Sequence, residues 1–301
     1  MAALSHWISA FRLRTLPLAL SSICMAGFLA YQHQAYNGYV FVTCIVTTLF
    51  LQILSNLAND YGDFMNGADG EHRVGPQRAV QSGVIRISEM RIAIALFSLL
   101  SFIAGIYLLY QVRSLLSWHV LVGFLSVGIL AIVAALTYTA GKKPYGYAGL
   151  GDISVFLFFG FVAVGGTYFL QVGILTSDVL LPAFSCGLLS TAVLNVNNLR
   201  DIDADALAGK KSIPVRIGPI WGRYYHVILI ASAWVCATIY VYVHYTSPFN
   251  LLYLCLLPLF IRHIYMVFKT KEPRLLDPFL KQLALSTLVF VLTYGIGIVY
   301  F

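Results

Sequence analysis

The chain has 301 residues, 59% of them hydrophobic and 10% charged, and its mean hydropathy is +0.82. A soluble domain of that size needs far more polar cover, so the composition excludes one and describes a protein that crosses a membrane several times. The formal charge of +7 would suit a nucleic-acid partner only if it formed one basic surface, and its sorting among loops argues against that.

Stretches free of Asp, Glu, Lys and Arg run over 15–59, 92–112, 114–141, 153–177, 179–199, 224–261 and 282–301. A helix needs about 20 residues to cross the hydrocarbon, so five of these are single spans. The other two are too long for one crossing. The stretch 15–59 breaks at Gln32-His33-Gln34 and Asn37-Gly38, and 224–261 breaks at Tyr245-Thr246-Ser247-Pro248, both polar and turn-like. The expected fold is all-α, a polytopic membrane bundle of nine transmembrane helices forming one domain over residues 1–301. No small-residue cleavage site follows the first apolar run, which is read as a retained span rather than a signal peptide.

Nine spans place the two termini on opposite sides. Of the 19 Lys and Arg, all but Arg113 then fall on the side of the N-terminus, which the positive-inside rule assigns to the cytoplasm, with the C-terminus outside. An error of one span would scramble this segregation. The acids sort the same way, since of 12 only Asp178 lies outside. The positive-inside rule does not ask for that, so the acids need a second explanation.

They gather in two stretches. Asn56 to Arg78 reads NLANDYGDFMNGADGEHRVGPQR, with Asn56, Asn59, Asp60 and Asp63 at the spacing of one helical face, then Asp69, Arg73 and Arg78. Asn195 to Lys211 reads NVNNLRDIDADALAGKK, where Asn197, Asp201 and Asp205 share a face if the preceding helix continues, followed by Lys210 and Lys211. Any one of these acids alone would read as a solvated loop charge. Together they begin while the apolar helix pattern is still running, where an ionised group is costly unless it faces a polar cavity or a cation. All the donors are oxygens, with no His or Cys at ligand spacing, a set that suits Mg²⁺ rather than zinc. Mg²⁺ joins a few carboxylates to substrate phosphates, and Arg78, Lys210 and Lys211 stand behind the acids to neutralise the oxygens left over. The two stretches are therefore expected to face each other across one site.

The loop Tyr138 to Tyr147 combines Lys142 and Lys143 with three tyrosines and leads to Gly151-Asp152. Its lysines either hold phosphate or an acidic substrate, or anchor the membrane surface. Aromatic residues, 14% of the chain, serve mostly as interfacial belt and packing, and some would shield a carbocation. His33, His119, His226, His244 and His263 have no partner at helical spacing, and the five cysteines lie in apolar runs without CxxC spacing.

Asn59-Asp60-Tyr61-Gly62-Asp63 followed by Asp69, together with Asn198-Leu199-Arg200-Asp201, Asp205 and Gly209-Lys210, resembles the two aspartate-rich motifs of the UbiA superfamily of intramembrane prenyltransferases. The resemblance runs through the whole chain. With the Lys-Pro-Tyr-Gly loop included, it is nearest to the branch that prenylates 1,4-dihydroxy-2-naphthoate in menaquinone synthesis. The 4-hydroxybenzoate branch commonly has Asp at the position of Gly67, whereas here Asp69 comes two residues later. The resemblance implies that Asn59, Asp63, Asp201 and Asp205 hold Mg²⁺ on a polyprenyl diphosphate, with Asp60 and Asp69 as supporting ligands. It implies that Asp63, Asp201, Asp205 and Lys210 carry catalysis. Arg78, Lys142, Lys143, Tyr145, Asn198 and Lys211 are its further substrate-binding candidates. The reaction implied is prenyl transfer to the naphthoate ring with loss of diphosphate and CO₂, giving demethylmenaquinone at the inner membrane; no catalytic base stands out. The nearest rival uses another acceptor such as 4-hydroxybenzoate. A secondary transporter is a more distant one, because its polar groups would lie near the midplane and not at one face.

Overall fold

The computed structural model describes residues 3–67, 75 and 78–300. Among them there is no β-strand, and nine helices are long and apolar enough to cross a membrane: α1 Leu4–Gln32, α2 Gly38–Met65, α3 Ile87–Val112, α4 Trp118–Thr137, α5 Gly151–Val172, α6 Ser177–Arg200, α7 Ile213–Val243, α8 Pro248–Lys269 and α9 Pro273–Val299. The protein is an integral membrane protein. Its helices outrun the charge-free stretches because Glu89, Arg91, Asp152, Arg216, Arg223, Arg262, Asp277 and Lys281 all lie inside spans. Charges in terminal turns reach the headgroups or one another, so absence of charge marks the middle of a span better than its ends.

Local chemistry sets several boundaries. Asn37 caps α2, its Oδ1 accepting from the amides of Tyr39 and Val40, and Gly67 closes that helix at φ +75°. The α7–α8 turn is pinned by Asn250, whose Oδ1 accepts from the amides of Thr246 and Ser247 while its Nδ2 donates to the Gly297 carbonyl of α9. α1 is interrupted at Arg12 (φ +50°), and α7 at Gly218 (φ +84°) just before Pro219.

α6 is the most enclosed span, with 72% of its apolar window buried, whereas none of the α4 window is. α4 turns one side to the interior cavity described below, and α6 is the span against which α1, α5, α7 and α9 pack. Small residues let α5 and α6 cross closely. A Cβ on Gly160 of α5 would sit 2.7 Å from the Ala183 carbonyl oxygen of α6, and one on Gly187 of α6 would sit 2.7 Å from the Phe156 carbonyl oxygen. Around this contact α5 winds as a π-helix from Leu157 to Gly166, a rare geometry that turns Phe158, Phe159 and Val162 to the interior cavity described below.

The two ends of the bundle are distinct. At one end, the ends of α2, α4 and α6 and the starts of α1 and α9 meet through Tyr147–Asp63, Lys210–Asp63 and Arg14–Asp277. At the other, Gln171 accepts from the Asn37 amide, Tyr240 donates to Gln32, and His244 pairs with Asp178.

Candidate active site

α2 delivers Asp63 in its last turn, 2% exposed. Three groups from three other segments converge on that carboxylate. The Arg78 guanidinium lies 2.5 Å from Oδ2, Lys210 Nζ lies 3.0 Å from Oδ1, and the Tyr147 hydroxyl donates to Oδ1 at 2.9 Å. Lys210 also reaches Asp205 at 3.4 Å and lies over the Tyr147 ring, 4.9 Å from its centroid. The stretches around Asp63 and Asp205, far apart in sequence, are therefore bridged by one ammonium group.

Asp201 ends α6 and the short helix Ile202–Leu207 follows; the Asp205 amide still donates to the Asp201 carbonyl at 2.7 Å, so the helical turn runs through the junction. That is why residues four apart face the same cavity. Arg200, 1% exposed, grips Asp201 with its fork, Nε to Oδ1 at 2.8 Å and Nη2 to Oδ2 at 2.6 Å. It also donates to Asn197 at 2.9 Å and to Asp277 at the start of α9, which pairs in turn with Arg14. Burial pushes the Asp205 carboxyl up to about 6; the Asp201 and Asp63 charges add to that and Lys210 opposes it.

These groups line the polar end of a cavity of about 430 Å³. Asn59, Asp63, Arg78, Asn198, Asp201, Asp205 and Lys210 all line it, and its remainder is apolar and aromatic, including Leu51, Phe102, Phe124, Phe158 and Leu170. Tyr145 lines it too, its hydroxyl donating to the Ala134 carbonyl and sharing a hydrogen bond with Ser154. Thr139 joins the α4 end to α2, its hydroxyl 3.1 Å from Asn59 Oδ1 and 3.2 Å from the Ala58 carbonyl. The close fit requires glycine at 62, where a Cβ would lie 2.5 Å from the Thr139 hydroxyl.

Other expected residues fall elsewhere. Asp60, expected among the metal ligands, is not a cavity-lining residue; it is 2% exposed and its Oδ2 accepts from the Ala79 amide, holding the segment that carries Arg78. The helical-face spacing puts it beside Asp63, but the stripe that faces the cavity runs through Asn56, Asn59 and Asp63. Asn56 lines the cavity yet donates to the Phe11 carbonyl and Thr15 of α1. Lys142, Lys143 and Lys211 are exposed and do not line the cavity; the Lys211 amide donates to the Tyr147 carbonyl, closing the α4–α5 loop onto the segment after α6. Asp69 and Arg73 lie outside the described residues. The sequence names Tyr147, Asp152 and Arg200 within its motifs but gives neither them nor Asp277 a role in the site. Arg200 carries a signal in its adjacency to Asp201, although its charge alone does not separate it from the basic residues that mark topology.

Asn59, Asp63, Asp201 and Asp205 are hard oxygen donors with no sulfur or nitrogen ligand beside them, the donor chemistry Mg²⁺ takes when water and substrate supply the rest. Among the described residues no three His, Cys, Asp or Glu converge as a closed metal cage, and the carboxylates are satisfied by Arg78, Lys210 and Arg200. A Tyr147→Phe variant removes one neutral donor to Asp63 and keeps the ring under Lys210. We expect its kcat/KM for a prenyl diphosphate to fall about tenfold to a hundredfold, consistent with one hydrogen bond to a charged group, measured by diphosphate release.

Residues 19–298 match the UbiA prenyltransferase family. The chain belongs to that family. A family relative from Haemophilus influenzae, named 1,4-dihydroxy-2-naphthoate octaprenyltransferase, is 45% identical over 98% of this chain and 96% of its own. Among solved family folds, an apo UbiA homolog from Aeropyrum pernix K1 superposes with a TM-score of 0.66 at 19% identity, covering 100% of this chain and 99% of that one. A UbiA homolog from Archaeoglobus fulgidus bound to DMAPP and Mg²⁺ gives 0.61 at 15% identity over 96% of this chain and 98% of that one.

Proposed function

We propose that residues 1–301 form one membrane domain that transfers a polyprenyl group from its diphosphate to 1,4-dihydroxy-2-naphthoate, releasing diphosphate and CO₂ as a step of menaquinone synthesis. The observation that carries this reading is the junction of Asp63, Asp205 and Lys210 at the polar end of an otherwise apolar cavity. It matches a substrate that has a charged head and a hydrocarbon tail. The acceptor rests on the name of the Haemophilus influenzae relative.

Asn59, Asp63, Asp201 and Asp205 would hold Mg²⁺, in keeping with their oxygen-only chemistry and with the DMAPP and Mg²⁺ of the Archaeoglobus fulgidus neighbour. When bound there, Mg²⁺ would withdraw electron density from the departing diphosphate. Lys210 and Arg78, poised on Asp63, exchange that carboxylate for diphosphate oxygens and neutralise charge as the allylic C–O bond breaks. The apolar walls exclude water from the allylic cation, and the electron-rich naphthoate ring captures it. Arg200 orients Asp201 through its two hydrogen bonds. The end of the bundle bearing these residues faces the cytoplasm of the inner membrane, in accord with its Lys and Arg.

The test is an assay of purified protein with a polyprenyl diphosphate and either dihydroxynaphthoate or 4-hydroxybenzoate. Prenylated naphthoquinol and diphosphate are expected, both lost with chelator and restored by Mg²⁺. Exclusive use of 4-hydroxybenzoate would overturn the acceptor, and full turnover in chelator would overturn the metal.

A further inference from the structure

Asp63, Asp201 and Asp205, the carboxylates at the polar end of the cavity, each face a cation: Arg78 and Lys210, Arg200, and Lys210 respectively. Asp152 lines the same cavity and does not. It stands in the first turn of α5, 6% exposed. Its one side-chain hydrogen bond among the described residues comes from the Tyr225 hydroxyl of α7, 3.2 Å from Oδ1, and no Lys, Arg or His pairs with it. Its backbone is fixed from α6, where Thr191 donates to the Asp152 carbonyl at 3.5 Å. A carboxylate enclosed this far with only neutral donors, the Tyr225 hydroxyl and its own backbone amide, is costly, and it keeps acceptor capacity for something that enters the cavity.

The surroundings restrict what that is. A Cβ on Gly151 would lie 2.6 Å from the Tyr138 hydroxyl, so that hydroxyl rests against the first turn of α5, next to Asp152. The Tyr138 ring meets Tyr145 edge to face at 5.3 Å, and both line the cavity. The combination is an aromatic corner with a hydrogen-bond acceptor at its edge, which fits an aromatic ring bearing a hydroxyl. An uncompensated carboxylate repels anions, so neither the diphosphate nor the acceptor's own carboxylate belongs there.

We propose that Asp152 binds the aromatic acceptor by accepting a hydrogen bond from the ring hydroxyl remote from the acceptor's carboxylate. This rests on the naphthoate reading above, in which that group is the 4-hydroxyl. The contact orients the ring against Tyr138 and raises its electron density toward the allylic carbon. It also discriminates, because an acceptor lacking the hydroxyl leaves Asp152 buried without a donor.

The experiment compares wild type, Asp152→Asn and Tyr225→Phe, purified in detergent with Mg²⁺ and a polyprenyl diphosphate. Asn still accepts from Tyr225 and so keeps the α5–α7 link, but loses the charge. Acceptor kcat/KM for dihydroxynaphthoate is expected to fall about tenfold to a hundredfold in Asp152→Asn, with the donor KM unchanged. In the same variant 1-hydroxy-2-naphthoate, which lacks the second hydroxyl, should inhibit as it does in wild type. Tyr225→Phe should keep the acceptor KM within about threefold. Unchanged acceptor kcat/KM in Asp152→Asn, or a parallel loss for donor, acceptor and analogue, overturns the proposal. If Asp152→Asn does not fold, wild type decides alone. There dihydroxynaphthoate must bind at least about tenfold more tightly than 1-hydroxy-2-naphthoate, and equal affinity overturns the assignment. Absence of any wild-type turnover of dihydroxynaphthoate overturns the parent reading, and this one with it.

Discussion

Asp63→Asn and Asp201→Asn are each expected to lower kcat by on the order of a thousandfold or more, while the protein still inserts and elutes from size exclusion as wild type does. The magnitude follows from removing a charged ligand where leaving-group charge develops in a low-dielectric cavity, an effect worth at least as much as one oxyanion-hole donor. The amide keeps the shape of the side chain and can still accept from Tyr147 at position 63. It cannot balance Arg78 and Lys210, but both cations line the cavity, where water can solvate them. Loss of activity without loss of fold is therefore the signature. A rate within threefold of wild type in either variant would remove that residue from the site, and collapse of both proteins would make their role structural.

Arg200→Met is expected to show first in stability, lowering the melting temperature further than either aspartate variant does. Arg200 is 1% exposed and holds Asp201 by two hydrogen bonds, Asn197 by one and Asp277 by an ion pair. Removing one partner of a buried pair leaves the other charge stranded, at a cost of about 3–5 kcal/mol, and here Asp201 takes most of it because Asp277 is a third exposed and keeps Arg14. The melting temperature in detergent should drop by several degrees or more. Arg200→Lys should fold, because one ammonium can still face Asp201, yet lose at least about tenfold in turnover because a point charge cannot replace the planar fork. An Arg200→Met protein with wild-type melting temperature would show that the network contributes nothing to the fold.

The number of spans was legible because it is local. Hydrocarbon thickness sets how long an apolar run must be, so composition along the chain carries the answer. Helix ends were less legible, since Asp152 or Asp277 inside a span is allowed by side-chain partners 73 to 263 residues away, far outside any local stretch. The same limit explains His226 and His263, which showed no partner at helical spacing yet lie with their Nε2 atoms 3.1 Å apart across α7 and α8.

Within the site, the residue types and their clustering came from the sequence, and the pairing did not. The motif spacing put Asp63 and Asp60 on an equal footing; packing turned Asp63 to the cavity and Asp60 to the Ala79 amide. It likewise buried Arg200 beneath Asp201 while Lys142 and Lys143, equally basic, stayed at the surface. What the sequence by itself determined was a nine-span helical membrane protein with two oxygen-rich clusters on one face, because hydrophobic length, charge sorting and donor chemistry are properties of segments. Which carboxylate meets which cation was decided only by tertiary structure. An ion pair depends on distance in space, and the contact of Lys210 with both Asp63 and Asp205 exists only once α2 and α6 end side by side.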